Sequence, residues 1–379
     1  MAIKLPEIKL PDIPFLKNRD SIAIDIGTSS IKIVSLKPSG NKYSLLKWGI
    51  VPINESGAEL SPQDKRNIVV SRLAEFLARE KILTKNVISS ISGNQVIVRY
   101  VRFPKLTREE LAKTIQFEAE PYIPFDIREV DLSFHILGDV VEEGQKKIET
   151  ILVASKKEAV QGKLDIFNDL NLRPVVVDLD VFAIQNAYEY NCLNSETPPQ
   201  ESVLIINIGA NVTNMAIVEN GISKVVRDVF ISGNSFTKAI QRNLGCDFKT
   251  AEDLKYRHTL LVTTEEKEKT LSENQKEALQ VSSAITPIAK DLLGEIQRSI
   301  DFYISQNPER VINKVMLCGG SCAIKNLDKY LHQEIKVPIE ILNPLASILE
   351  SAAVPENVAP QLAVAIGLAM RRENDIPKK

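Results

Sequence analysis

The fold of this chain is decided by the stretch Ser21-Ile-Ala-Ile-Asp25-Ile-Gly27-Thr28-Ser29-Ser30-Ile31-Lys32-Ile-Val34. Apolar residues alternate with small or polar ones on both sides of a polar turn, which predicts two β-strands joined as a hairpin. Gly27 permits a tight turn, and a turn that directs several backbone N–H groups one way can bind an anion. The neighbouring acid, Asp25, suits a hydrated Mg²⁺. The hairpin therefore predicts a phosphate and Mg²⁺ site, with an ordinary polar hairpin as the alternative.

The composition is that of an ordinary globular protein that can bury a large core. The chain has 379 residues, 44% of them hydrophobic, and this length predicts two or three domain-sized units. The net charge of −2 gives no electrostatic case for binding nucleic acid or an anionic membrane. We expect neither a membrane span nor a secretory signal, because no apolar run is long enough. The four cysteines form no disulfide or zinc pattern, which favours reduced thiols in the cytoplasm.

The hairpin pattern returns 182 residues later, with Asn207 in the place of Asp25. The second copy again reads as a strand, a polar turn that contains Gly209, and a second strand. A repeat at this spacing predicts two similar halves. We expect these halves to face each other across one cleft, with a phosphate-binding hairpin on each side.

Residues 95–155 read as a small separate unit between the two hairpins. A strand comes first, followed by a helix that begins at a capping box of Thr107 and Glu110. Two more strands follow near 130–137 and 147–154. This order predicts a compact α+β insertion.

Four further motifs follow the second hairpin. A helix opens at Gly233, and the next helical segment carries Glu252 and Lys255. A buried strand then ends in the turn Gly319–Ser321, whose glycines would let a nucleotide approach the backbone closely. The last motif is a helix of small residues at 363–370, which we expect to pack closely against a neighbour.

Three segments carry no binding motif. Residues 1–20 contain prolines within a short repeat, which predicts a flexible or extended arm. Residues 194–201 are the clearest linker. Residues 260–283 are polar and charged and predict a mobile excursion, in which the charged run at 265–269 favours a solvated helix over a binding surface. A long core helix follows at about 285–305.

Five features of the sequence, one of them a helix entered at about Asp180 after a short strand, stand in an order that is typical of one superfamily. They are the hairpin at Asp25, the helix entered at Asp180, the hairpin at Asn207, the turn at Gly319–Ser321 and the helix at 363–370. This order resembles the actin/hexokinase/heat-shock ATPase superfamily. The resemblance implies a two-lobed α/β fold, built from a duplicated ribonuclease H-like unit, with a small α+β inserted subdomain.

The insertion narrows the resemblance to the FtsA and PilM branch. The stretch Phe117-Glu-Ala-Glu-Pro-Tyr-Ile-Pro-Phe125 resembles the signature of the PilM family of type IV pilus assembly proteins. FtsA usually ends in an amphipathic membrane-targeting helix, and residues 371–379 are too short and polar for one. The resemblance implies a cytoplasmic protein of pilus biogenesis and twitching motility that reaches the inner membrane only through a partner.

The resemblance implies ATP and Mg²⁺ in the cleft. Asp25 would hold Mg²⁺ through water, with Asn207 as a weak second metal residue. Glu252 and Lys255 would contact the ribose or adenine. The residues implied to bind the nucleotide are Gly27, Thr28, Ser29, Lys32, Gly209, Asn211, Thr213, Gly233, Glu252, Lys255, Gly319, Gly320 and Ser321.

One position departs from the superfamily pattern. The second hairpin carries Asn207 where these ATPases usually have Asp, and an amide can neither act as a base nor bring negative charge to a metal. Asp180 fits two roles equally, either a catalytic acid that partly substitutes or a helix N-cap. We therefore expect slow or absent hydrolysis.

The resemblance also implies a protein partner. PilM-like proteins bind the cytoplasmic N-terminal tail of the inner-membrane protein PilN, and we expect that groove near residues 95–125. Contacts with other pilus assembly proteins stay open. The alternatives are an FtsA-like division or filament protein, and a small-molecule kinase of the same superfamily. Such a kinase needs an acid placed as the base for a substrate hydroxyl.

The predicted division of the chain follows from these features. Each core subdomain is assembled from separate stretches, because other segments interrupt it. The predicted units are a flexible arm (1–20), a first core (21–94, 156–200 and 346–379), its insertion (95–155), a second core (201–242 and 284–345) and a small subdomain of the second lobe (243–283).

Overall fold

The structure is a computed structural model that describes residues 21–54, 56–57, 60–193 and 201–371. The arm predicted at 1–20 and nearly all of the linker predicted at 194–201 lie outside these residues. The strands are β1 (Ser21–Ile26), β2 (Ser30–Ser39), β3 (Lys42–Pro52), β4 (Asn86–Ile91), β5 (Val96–Pro104), β6 (Val130–Glu142), β7 (Gln145–Lys156), β8 (Arg173–Leu179), β9 (Ser202–Ile208), β10 (Thr213–Glu219), β11 (Ile222–Val229), β12 (Lys314–Cys318) and β13 (Ile339–Ile341).

The helices cover the faces of the sheets that these strands form. Within the described ranges, no helix combines the length and the apolarity that crossing a bilayer requires. The helices are α1 (Pro62–Arg79), α2 (Arg108–Ala119), α3 (Lys157–Asp169), α4 (Asp180–Leu193), α5 (Gly233–Leu244), α6 (Phe248–Arg257), α7 (Thr264–Ser272), α8 (Lys276–Ser305), α9 (Leu327–Ile335) and α10 (Ala363–Ala369).

Two five-stranded sheets repeat one topology. The strand order is β3-β2-β1-β4-β8 in the first sheet and β11-β10-β9-β12-β13 in the second. In both, the first three strands in sequence are antiparallel and the last two run parallel to the first. Asp25 pairs with Lys32 across the first hairpin, and Asn207 pairs with Asn214 across the second. The predicted duplication is confirmed.

A shared core of α4 and α10 lies between the two sheets. Side chains of both sheets pack there, among them Ala23 of β1 and Ile205 of β9. Successive residues of a strand point to opposite faces, so Leu204 and Ile206 enter a second core with α5, α6, α8 and α9. The outer face of the first sheet packs against α1 and α3. This layering places the polar ends of β1 and β9 on either side of one cleft.

The insertion forms a sheet of its own, in the order β5-β7-β6, with α2 packed on one face. The capping box of α2 is confirmed, because Thr107 Oγ1 accepts from the Glu110 backbone N–H at 3.2 Å while Glu110 accepts from the Thr107 N–H at 2.8 Å. The insertion also reaches the second lobe, where Lys224 Nζ lies 3.4 Å from the Glu149 carboxylate.

The stretch 260–283 contains α7 and the beginning of α8, and α8 starts at Lys276 instead of near 285 as predicted. Leu260 and Val281 are buried there in the second core. The charged residues at 265–269 lie on α7 and are mostly exposed, so the solvated helix predicted for them is confirmed.

Candidate nucleotide-binding site

A cleft of about 760 Å³ lies between the two lobes. Both hairpins contribute to its walls, together with α6 and the turn after β12. The predicted residues that line the cleft are Asp25, Gly27, Thr28, Ser29, Lys32, Asp180, Asn207, Gly209, Asn211, Glu252, Lys255, Gly319, Gly320 and Ser321. The fold therefore brings together most of the predicted site.

The first hairpin presents a paired acid beside a tight turn. The Gly27 backbone N–H donates to the Ser30 carbonyl at 3.1 Å, which closes the turn. Asp25 is only 6% exposed, and its carboxylate lies 3.3 Å from the Lys32 ammonium. A Cβ at residue 27 would stand 3.1 Å from Lys32 Nζ, so glycine gives the lysine room to lie over the turn. The acid and the ammonium thus lie together beside the turn at this point of the wall.

The second hairpin carries amides where the first carries charges. Asn207 Nδ2 donates to Asn214 Oδ1 at 2.8 Å, and Asn214 Nδ2 donates to Asp228 Oδ1 at 2.8 Å. Asp228 also accepts from the Gly93 backbone N–H at 2.7 Å, and burial raises the pKa of its carboxyl group. This chain of hydrogen bonds links the second hairpin to the segment that follows β4 in the first lobe.

Asp180 lies on the first-lobe side of the cleft. Ser92 Oγ donates to its carboxylate at 2.6 Å. Burial raises the pKa of Asp180, and the nearby charge of Asp25 raises it further. Asp180 is the first residue within α4, so the N-cap position falls on Leu179. The carboxylate therefore faces the cleft as the alternative acid, and a catalytic role for it stays a prediction.

A buried ion pair occupies the α6 side of the cleft. Lys255 is 1% exposed, and its ammonium lies 2.7 Å from the Glu252 carboxylate. Thr237 Oγ1 donates to the same carboxylate at 2.5 Å, which ties α5 to α6. Burial lowers the pKa of Lys255, while the charge of Glu252 opposes this shift. The pair gives the cleft a partly exposed carboxylate whose position is fixed.

The turn after β12 is packed so tightly that it requires glycine. Gly319 has a φ of +85°, and a Cβ there would lie 2.5 Å from Asn207 Oδ1 and 2.6 Å from the Ile208 carbonyl oxygen. At Gly233, a Cβ would lie 2.2 Å from Ser321 Oγ. These glycines therefore let the turn after β12 and the start of α5 pack directly against their neighbours at the cleft wall.

Two predicted residues do not line the cleft, Thr213 and Gly233. Thr213 is fully buried, and its Oγ1 donates to the Ile231 carbonyl at 2.8 Å. Gly233 is buried under Ser321, and its backbone N–H donates to the Gly209 carbonyl at 2.9 Å. Both residues hold the second hairpin against the start of α5, so the prediction that they contact a nucleotide is corrected to a supporting role.

Several lining residues were missed by the sequence reasoning. Ser90 and Ser92 stand at the end of a buried strand, and polar residues in that position are a usable signal for a binding crevice. Lys65 and Lys163 lie on helices where lysine is ordinarily solvated, so no local signal marks them. The other missed residues include Asn214, Asn234, Tyr256, Asn357 and Gln361.

A second groove, of about 350 Å³, adjoins the cleft. Its walls come from β5 of the insertion and from β11 of the second lobe, and they include Phe125 and Phe230. Phe230 is 58% exposed. Ser92, Asp180 and Asn214 line both cavities, so the two share a wall.

Comparison with known proteins identifies the family. The sequence profile of the family described as "Type IV pilus assembly protein PilM" matches residues 23–373. A solved "PilM-PilN type IV pilus biogenesis complex" is 26% identical with a TM-score of 0.76, over 93% of this chain and 98% of that chain. The ethanolamine utilization protein EutJ from Carboxydothermus hydrogenoformans is 12% identical with a TM-score of 0.50, over 92% of this chain and 88% of that chain, and shares the fold alone. The expected two-lobed actin-like fold is thus confirmed, and the chain belongs to the PilM family of type IV pilus assembly proteins.

Proposed function

We propose that this chain is a cytoplasmic ATP-binding scaffold of type IV pilus assembly that is recruited to the inner membrane by the N-terminal tail of a PilN-like protein. The observation that carries the nucleotide proposal is the cleft, in which two hairpins of one topology face each other beside a glycine turn. Family membership supports the role in pilus assembly, and a 26% identical relative was solved as a PilM-PilN complex.

The residues of the cleft fit Mg-ATP. The turn at Gly27 lines the cleft together with Thr28 and Ser29, and polar turns of this kind can bind phosphate. Asp25 and the hydroxyls of Thr28 and Ser29 supply the oxygen donors that Mg²⁺ prefers, with bound water completing its shell. Gly319 lets the turn after β12 lie against the second hairpin, because a Cβ there would collide with Asn207 and Ile208. We infer that Asp25 holds Mg²⁺ through water while the turns on both sides hold the phosphates.

The residues of the second hairpin favour binding of ATP without rapid hydrolysis. The Asn207 side chain is hydrogen-bonded to Asn214 and brings no negative charge to the cleft. A base that accepts a proton from the attacking water typically contributes roughly 10²–10⁴-fold to a rate. Without one on this hairpin, hydrolysis should be slow.

Replacing Asn207 with aspartate is expected to raise the rate of ATP hydrolysis by at least about ten-fold, because it supplies a carboxylate on the second hairpin. Asn220→Asp is the matched control, since it makes the same change at an exposed position between β10 and β11 that does not line the cleft. Phosphate release by the purified variants measures the effect. An Asn207→Asp variant that binds ATP but hydrolyses it no faster than the unchanged chain would contradict this account.

We infer that the partner tail lies in the second groove. The groove adjoins the predicted region near residues 95–125, and its wall includes Val96, Ile97 and Val98 of β5. β5 is an edge strand of the insertion sheet, and an edge strand offers backbone groups to an added peptide strand. Phe230 supplies exposed apolar surface for side chains of that peptide.

Phe230→Ala is expected to weaken binding of a PilN-type tail peptide by about ten-fold, because aromatic side chains commonly anchor interfaces. Titration of the ATP-loaded full chain with a labelled peptide measures the affinity by fluorescence anisotropy. Phe302→Ala is the control, because Phe302 is 57% exposed but lies on α8, away from the groove. If the unchanged chain bound no such tail, the partner proposal would fail. If Phe230→Ala and Phe302→Ala bound the tail peptide with the same affinity, only the proposed position of the tail in the second groove would be wrong.

A further inference from the structure

The first-lobe wall of the cleft carries more positive charge than its acids balance. Lys32, Lys65 and Lys163 line this wall together with only two acids, Asp25 and Asp180. The other lysine of the cleft belongs to the ion pair on α6 and is already matched. An excess of positive charge therefore lies beside the turn of the first hairpin.

Lys65 on α1 is the least satisfied of these cations. It is half-buried, and this burial lowers the pKa of its ammonium group. No acid or hydrogen-bond acceptor among the described side chains lies within bonding distance of that ammonium. Moving a charge partly out of water without a partner is unfavourable. The arrangement becomes favourable when an anion enters the cleft.

Lys163 on α3 is held directly at the first hairpin. Its ammonium donates to the carbonyl of Ile26, the residue before the glycine of the turn, at 2.8 Å. Desolvation lowers the pKa of Lys163 to about 8, although the charges of Asp180 and Asp25 oppose this shift more strongly than Lys65 and Lys32 add to it. The two acids therefore offset part of the positive charge, and Lys65, which no acid of the described residues contacts, leaves the excess at this wall.

We propose that Lys65 and Lys163 bind the terminal phosphate of the nucleotide, and so make the cleft selective for ATP over AMP. This inference rests on the proposed ATP binding. Hydrogen bonds from ammonium groups to phosphate are stronger than neutral ones, and a triphosphate brings enough negative charge to offset the repulsion among the lysines. AMP lacks the phosphates that would reach these two residues.

Lys163 also connects the nucleotide to the insertion. α3 begins at Lys157, immediately after β7 of the insertion ends at Lys156. A phosphate contact through Lys163 therefore reaches the helix that follows the insertion in the chain.

Calorimetric titration of the full chain with ATP and with AMP tests the proposal. Lys65→Ala and Lys163→Ala are each expected to weaken ATP binding by about ten-fold, while AMP affinity changes by less than about two-fold. Arg72→Ala is the matched control, because it removes a positive charge from an exposed position of α1 and should leave both affinities unchanged.

The outcomes separate this inference from the function on which it rests. If the unchanged chain binds ATP tightly and both lysine variants keep its preference for ATP over AMP, the inference is overturned and ATP binding stands. If Lys163→Ala loses ATP and AMP affinity equally, Lys163 only supports the turn through Ile26. The Lys65→Ala variant then tests by itself whether Lys65 binds the terminal phosphate, because that substitution removes no contact seen among the described residues. If the unchanged chain binds neither nucleotide, the proposed function itself fails.

Discussion

Replacing Asp25 with alanine is expected to remove most of the ATP affinity that Mg²⁺ adds, a loss of about 10–100-fold, which is typical when a residue that supports a metal is lost. Asp25 is the buried acid of the first hairpin, and its carboxylate is already oriented by Lys32. Without it, the water shell of Mg²⁺ has no fixed anion on that wall. Calorimetric titrations with ATP in the presence and absence of Mg²⁺ measure the effect.

The difference between the two titrations is the informative quantity. In the Asp25→Ala variant Lys32 loses its ion-pair partner, so its ammonium can bind a phosphate directly. Binding of ATP without Mg²⁺ should therefore be unchanged or tighter. Glu75→Ala is the control, because Glu75 is an exposed acid on α1. Equal Mg²⁺ dependence in the unchanged chain and in Asp25→Ala would show that the hairpin is not the metal site.

Substitution of Gly367 by alanine is expected to lower the free energy of unfolding by about 3 kcal/mol, at the upper end for overpacking of a core. Gly367 lies on α10 in the shared core, where a Cβ would stand 1.6 Å from the carbonyl oxygen of Ala183 on α4. That oxygen belongs to a helix backbone and cannot turn aside as a side chain would. The two helices would have to separate between the lobes.

Chemical denaturation measures this loss, and a second helical glycine gives the matched control. At Gly294 on α8 the nearest atom to an added Cβ is a terminal nitrogen of Arg298, 3.9 Å away. Gly294→Ala should therefore stabilise the chain by up to about 1 kcal/mol, because alanine favours helix. If Gly367→Ala changed stability by less than the control does, the close packing of α10 on α4 would be refuted.

The features that sequence could predict are those with a local pattern. The hairpins at Asp25 and Asn207 were predictable because strand alternation and a polar glycine turn lie within a few consecutive residues. The capping box at Thr107 was predictable for the same reason. The close packing of the helix at 363–370 followed from its small residues, but its partner, α4, did not.

The features that sequence could not predict depend on the tertiary arrangement. Lys65 and Lys163 face the cleft only because α1 and α3 pack on the outer face of the first sheet. The hydrogen bonds from Asn214 through Asp228 to Gly93 join segments that are far apart in the chain. Thr213 was misassigned because strand register, which turns its hydroxyl toward Ile231, cannot be read from composition.

The shared wall of the two cavities suggests how nucleotide and partner would be related. Ser92, Asp180 and Asn214 line both the cleft and the second groove. Ser92 is hydrogen-bonded to Asp180, and Asn214 is hydrogen-bonded to Asp228. The wall between the two cavities is therefore made of hydrogen-bonded side chains that face both of them. The proposed scaffold thus has its two binding sites on opposite sides of a few hydrogen-bonded residues.

The central claim is that the chain binds ATP and keeps it. The most direct measurement is to load the purified full chain with Mg-ATP, remove free nucleotide, and identify the bound nucleotide by chromatography over several hours. The account predicts an amount of ATP close to equimolar with the chain and little ADP, because Asn207 leaves the second hairpin without an acid. Absence of bound nucleotide, or complete conversion to ADP within minutes, would contradict it.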